Sequence, residues 1–232
     1  MTLAIMQPYI FPYIGYFQLI NRVDKFVIYD DVNYINKGWI NRNQLLVGGK
    51  AGMFTIPLKE ASQNKKIYEI GVSDFDKWSS KFKKGLKQSY AKAPFVREVC
   101  EIVDAALDLQ PNNVAELCVH ALANVNIYLG ITTQIEPSSR IYENSDLKGQ
   151  ERILDICLKE NADHYINPIG GQELYDKEIF DPKGITLNFI KSQKIEYPQF
   201  NQPFVEYLSI LDVMMFNSPE KISTFLQKFE LI

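Results

Sequence analysis

A chain of 232 residues, 46% of them hydrophobic and 23% charged, is long enough to bury roughly 70–75% of the surface its unfolded form exposes, so neither disulfides nor a structural metal is needed to hold a core. Its formal net charge of -3 and isoelectric point near 5.5 exclude a general binder of nucleic-acid backbone, which needs clustered Lys and Arg to displace counterions. Cys100, Cys118 and Cys157 are odd in number, far apart and without CxxC spacing, and they read as buried thiols rather than metal ligands or a disulfide. No apolar run approaches the ~18 residues of a membrane helix, and Met1 leads into a strand without a basic segment and long apolar run. The expectation is a cytoplasmic chain with no membrane span.

In chain order, Leu3-Ala4-Ile5-Met6 reads as a buried strand stopped by Gln7-Pro8. Gly15 to Val23 places Tyr16, Leu19, Ile20 and Val23 on one helical face. Lys25 to Tyr29 forms a second strand ending at Asp30-Asp31, which completes a βαβ unit with a right-handed crossover. Met53 to Leu58 reads as a third strand after a turn at Gly48-Gly49. Asp76 to Tyr90 carries Trp78, Phe82 and Leu86 at helical spacing with lysines elsewhere, Pro94 restarts a helix to about Leu109, and Val114 to Leu129 is a third, stopped by Gly130. Alternation of strands and helices then resumes: a strand near Thr133 to Glu136, a helix near Gln150 to Lys159, strands over His164 to Asn167 and Ile185 to Ile190, and closing helices at about 207–216 and 219–228. The pattern predicts one α/β domain over residues 1–232, a mainly parallel sheet with flanking helices and a helical insertion at about 75–130.

Ligands of such sheets gather outside the carboxyl ends of the strands, and that rule selects the loops. The first holds Gln7, Tyr9 and Tyr13; the second begins at Asp30-Asp31 and continues through Lys37, Trp39, Asn41, Arg42 and Asn43. Amides and aromatic faces suit a sugar, and Arg or Lys suits a phosphate; the same Asn and Arg side chains could equally order the loop by bonding its own backbone. Asp30 and Asp31 stand either as a functional carboxylate pair or as a turn or cap, and alternation directs only one of them to each face. A second cluster runs from Tyr165 to Asn167 and Pro168, then Gly170-Gly171, where backbone N–H groups can approach a ligand or simply make a tight turn. A third comprises Tyr197, Gln199, Ser209 and Asp212, with Ser209 placed to cap a helix. Only His120 and His164 are present, and no GxSxG, Walker or GxGxxG pattern occurs, so no metal or other cofactor is expected.

Together these clusters resemble the WbqC-like protein family. The resemblance rests on Met6-Gln7-Pro8-Tyr9-Ile10-Phe11-Pro12-Tyr13-Ile14-Gly15-Tyr16-Phe17, Asp30-Asp31-Val32, Trp39-Ile40-Asn41-Arg42-Asn43, Tyr165-Ile166-Asn167 with Gly170-Gly171, Tyr197-Pro198-Gln199, and Leu208-Ser209-Ile210-Leu211-Asp212. It spans nearly the whole chain in order. Many members of that family carry His where this chain has Met6, so no role for that histidine as a base can hold here.

The resemblance implies a bacterial transferase acting on a nucleotide-activated amino sugar in surface-polysaccharide (O-antigen, lipopolysaccharide) biosynthesis, with acyl or aminoacyl transfer from a donor to the sugar amine. Asp30 or Asp31 would serve as base or sugar anchor, Arg42 and Lys37 would hold phosphate, Trp39, Tyr9 and Tyr13 would stack, and Asn41, Asn43 or the Gly170-Gly171 backbone would donate to the developing oxyanion. Two alternatives stand beside it. One is a glycosyltransferase whose Asp pair holds a divalent metal; the other is a non-catalytic nucleotide-sugar binding component of a biosynthetic complex.

Overall fold

A computed structural model describes residues 1–200 and 203–232. Strand β1 (Thr2–Met6) is apolar at its centre and ends where Pro8 removes a donor; helix α1 (Ile14–Arg22) and strand β2 (Lys25–Ile28) complete the first βαβ unit. A hairpin follows, β3 (Arg42–Val47) and β4 (Lys50–Thr55), then a short pair, β5 (Leu58–Lys59) and β6 (Gly71–Val72). Three helices come next: α2 (Phe75–Ser89), α3 (Val96–Ala106) and α4 (Val114–Leu129). The second half runs β7 (Gln134–Glu136), α5 (Gly149–Lys159), β8 (His164–Pro168), α6 (Lys177–Phe180), β9 (Thr186–Ser192), α7 (Ile210–Phe216), α8 (Pro219–Leu226) and β10 (Phe229–Leu231).

The main sheet has the order β10-β9-β8-β1-β2-β7. It is parallel from β9 to β7, and only β10 runs antiparallel, against β9. Counted along the chain, the parallel strands from β7 to β9 are the third, second, first, fourth and fifth. This is the doubly wound order, in which winding reverses between the first strand and the fourth. Here that reversal lies between β1 and β8, paired through Thr2↔His164 and Leu3↔Tyr165.

Alternation along the strands divides the core. Ala4, Phe26, Ile28, Ile166 and Ile190 join the larger cluster, which includes α1, α8 and the helices of the middle segment. Leu3, Ile5, Val27, Tyr165, Leu187 and Phe189 face the other way, against Ile153, Ile156 and Cys157 of α5 and Phe180 of α6. Helices on both faces of a mainly parallel sheet make the chain an α/β fold.

The third strand differs from its expected place. Residues 50–55, rather than 53–58, are extended, and they return along β3 through register pairs from Arg42↔Thr55 to Val47↔Lys50 instead of joining the parallel sheet. Gly48 and Gly49 at φ 58° and 79° make the tight turn, which side chains would resist. The closing strand β10 extends the edge of the sheet with three residues, a span too short to show alternation.

Candidate functional site

The loop after β1 reaches the reversal point. Its course is fixed from outside: Asn43 Nδ2 donates to Phe11 O across 2.6 Å, Ser209 Oγ donates to the same carbonyl at 2.7 Å, and the Ile10 N–H reaches Ile40 O at 3.0 Å. These bonds hold Phe11 at φ 41°, a conformation that bulky residues rarely keep without such support. Asn41 is likewise occupied, accepting from Tyr34 Oη at 3.0 Å and donating to Ile56 O at 2.8 Å. Both amides therefore shape the loops. The Gln7 carbonyl accepts from Tyr16 Oη, while its side-chain amide has no protein partner among the described residues.

Several aromatic candidates do converge. Tyr9 from the β1 loop and Trp39 from the β2 loop lie with ring centroids 6.2 Å apart, and the Arg42 guanidinium sits 5.5 Å from the Trp39 ring. Arg42 Nε donates to Gly38 O at 2.8 Å, which orients the group. The Tyr9 and Trp39 rings are tilted by 39°, and Trp39 is 48% exposed, so the group presents an open face. Lys37, at φ 60°, is exposed on the same loop. Burial raises the Tyr9 hydroxyl pKa, and the Tyr13 hydroxyl close by adds to it; Tyr13 is raised by burial and then by Tyr207. Tyr13 and Tyr207 line a cleft of about 290 Å³ together with Ser192, Lys194 and Tyr197. It opens where α1 begins, at the carboxyl end of β9. Tyr13 at the start of α1 offers no side-chain cap.

Asp30 and Asp31 lie just beyond the end of β2, and the Ser139 hydroxyl reaches both carboxylates. Asp30 accepts from Ser138 Oγ at 2.8 Å and from the Ser139 N–H at 3.1 Å, with Arg140 Nε 3.8 Å away. Burial lifts its carboxyl above the ordinary range, against the lowering effect of those donors and of Arg140. Asp31 forms a buried ion pair with Arg152 of α5 and accepts also from Ser139 Oγ. Arg152 lies 5.0 Å from the Tyr29 ring and donates through Nε to Asn144 Oδ1 at 2.9 Å. Sequence reasoning missed Arg152 and the Ser138-Ser139 pair; the available signal was a lone arginine leading into the apolar run Ile153-Leu154.

Across the reversal point, Asn167 Nδ2 donates to Tyr165 Oη at 2.7 Å. A side chain at Gly171 would collide with the Asn167 amide, whereas one at Gly170 would meet open space. Gly171 thus keeps the short 3₁₀ turn over 169–174 against the end of β8. Tyr197 and Gln199 serve a different group. Tyr197 Oη at 2.6 Å, Tyr90 Oη at 2.7 Å and Gln199 Nε2 at 2.7 Å all donate to the fully buried carboxylate of Asp212. Ser209 caps α7 as expected, accepting from Leu211 N.

The sequence profile of the WbqC-like protein family matches residues 7–224, a span that contains the β1 loop, the Asp30-Asp31 strand end, the Asn167 turn and the Asp212 cluster. The chain belongs to the WbqC-like protein family. It is also 29% identical over 214 residues to an uncharacterized protein of Mycobacterium tuberculosis, Rv1507c, with 91% of each chain covered. No solved structure matches it. Among the described residues of this WbqC-like chain, no helix is long and apolar enough to cross a membrane.

Proposed function

We propose that the chain is a transferase that binds a nucleotide-activated amino sugar across the carboxyl ends of β1 and β8 and transfers an acyl or aminoacyl group to the sugar amine, in surface-polysaccharide synthesis of the O-antigen type. The observation that carries this reading is the reversal of strand order between β1 and β8, the position where open α/β sheets take nucleotide ligands, with the unengaged Gln7 amide beside it. The Tyr9–Trp39–Arg42 group offers an aromatic face with a cation beside it, which suits a base or sugar ring and a phosphate. The cleft at Tyr13, Lys194 and Tyr197 extends that surface.

In this reading Asp30 is the base. The sugar amine attacks the carbonyl carbon of an activated acyl donor, the new N–C bond forms as the donor's leaving-group bond breaks, and Asp30 takes the amine proton. Its burial-raised pKa suits that task, because a stronger base accepts the proton more readily. Asp31 supports the site through Arg152. With every oxygen of the pair within reach of a protein donor, a divalent ion would have to displace them, and this favours acyl transfer over a metal-dependent glycosyltransferase. A non-catalytic sugar-nucleotide binder is the second reading, favoured by the closure of Asp30 behind Ser138, Ser139 and Arg140.

The two are separated by incubating the purified chain with nucleoside-diphosphate amino sugars and activated acyl donors, and following the N-acylated product. An enzyme yields product, and Asp30→Asn abolishes turnover while sugar-nucleotide binding survives. The rate should fall on the acid side at a pH above the ordinary carboxylate value of about 4, since the base must be ionised. Binding without product from any donor would favour the binder.

A further inference from the structure

We propose that the trough between the β3–β4 hairpin and α2 is a docking surface for an acidic amphipathic helix of a partner protein. The trough holds about 750 Å³, and its floor is apolar: Leu45 and Phe54 from the hairpin, Trp78, Phe82 and Leu86 from α2. Val47 and Met53 are half exposed at its edge. It adjoins a second hollow of about 580 Å³ through the shared residues Gly48, Gln88 and Ser89, which extends it as far as Lys92. The concavity therefore follows the length of α2, the shape that a helix laid along α2 would fill.

Charge selects the occupant. The segment 77–92 contains Lys77, Lys81, Lys83, Lys84, Lys87 and Lys92 and no Asp or Glu, in a chain whose net charge is -3. Lys83 is engaged with Asp104 of α3 at 3.1 Å. At 3.6 residues per turn, Trp78, Phe82, Gly85 and Ser89 fall on the strip facing the hairpin, and Lys77, Lys81 and Lys84 fall along one flank of it. Those three are exposed and form no ion pair among the described residues. An apolar floor with cations on one flank complements a helix whose apolar face is bordered by carboxylates. An anionic bilayer would instead meet protruding apolar side chains, and here they line a hollow.

Gly85 gives an independent indication. It lies in the interior of α2, where glycine is the poorest helix former except proline, yet a Cβ there would meet nothing within 4 Å. Internal packing does not require the glycine. Its absent side chain leaves the helix backbone bare where the trough is lined, which lets a second helix approach closely.

The test uses the full chain and a displayed library of random peptides. Selection should enrich sequences rich in Asp and Glu with apolar residues at i, i+3, i+4 and i+7. A synthetic peptide of that kind should lose affinity by about tenfold or more on Gly85→Gln, and again on Lys81→Glu with Lys84→Glu, and it should weaken with added salt. Gly85→Gln replaces glycine with a better helix former, so its melting temperature should not fall, and lost binding cannot be ascribed to unfolding. Failure to enrich such peptides, or equal affinity for the Gly85→Gln chain, would overturn the proposal. So would Lys81-dependent sedimentation with phosphatidylserine vesicles that the peptide cannot displace, which would make the surface a membrane contact.

Discussion

The Arg152 guanidinium near the start of α5 is paired with the Asp31 carboxylate just beyond the end of β2, and both side chains are buried. Ser139 and Asn144 complete the set of hydrogen bonds. Removing one partner strands the other charge in the interior, at a cost of about 3–5 kcal/mol. Arg152→Ala should therefore lower the melting temperature sharply, by about 2–4 °C for each kcal/mol in a chain of this size. A melting curve that matches the parent's would show that the pair does not hold the strand end.

Asp212 makes a prediction about pH. Three neutral donors surround its carboxylate and no cation pairs with it among the described residues. Burial raises its pKa more than the Tyr197, Tyr90 and Gln199 bonds lower it. The folded state then binds the proton more tightly than the unfolded state. This contribution to stability is complete below the ordinary carboxylate pKa of about 4 and is lost as pH rises through the raised value. Unfolding by denaturant across that window should show stability declining with pH, and Asp212→Asn, which cannot ionise, should remove part of the slope. An unaltered slope in the variant would contradict the assignment.

The Tyr9–Trp39–Arg42 group should contribute to binding more than to folding. Arg42→Ala removes a partly exposed guanidinium whose one hydrogen bond among the described residues is to Gly38 O. Affinity for a nucleotide sugar should weaken by about 1.5–3 kcal/mol, as for a hydrogen bond to a charged group, with little change in melting temperature. Calorimetric titration of parent and variant measures the first, and a melt the second; a large loss of stability at unchanged affinity would make Arg42 a structural residue.

Much of this architecture was legible locally. β1, α1 and β2 announce themselves through short apolar runs and helical spacing bounded by Pro8 and Asp30, and α2, α3 and α4 through periodicity interrupted by Pro94 and Pro111. The β3 strand escaped because it opens with Arg42-Asn43-Gln44, a polar run that reads as loop, although Asn43 is buried and bonds the β1 loop. Candidate positions at strand ends could be found from the same local signals; their partners could not. Arg152 lies 121 residues from Asp31, and Tyr90 lies 122 from Asp212. Such contacts follow from the winding of the sheet and the placement of α2 beside β3, which no local pattern encodes. This is also why Asn41 and Asn43, chemically suited to a sugar, could not be told in advance to bond the neighbouring segments at Ile56 and Phe11.

In the proposed function a nucleotide-linked amino sugar binds where strand order reverses, beside Gln7. Gln7→Ala deletes an amide with no protein partner among the described residues, so the unliganded melting temperature should stay that of the parent. The deciding measurement is a thermal-shift titration of nucleoside-diphosphate amino sugars against both chains. A ligand at a hundred times its Kd should stabilise the parent by about 2.7 kcal/mol, and its affinity for Gln7→Ala should be lower by about tenfold. Failure of every such sugar to stabilise the parent, or equal affinity for the two chains, would contradict the account.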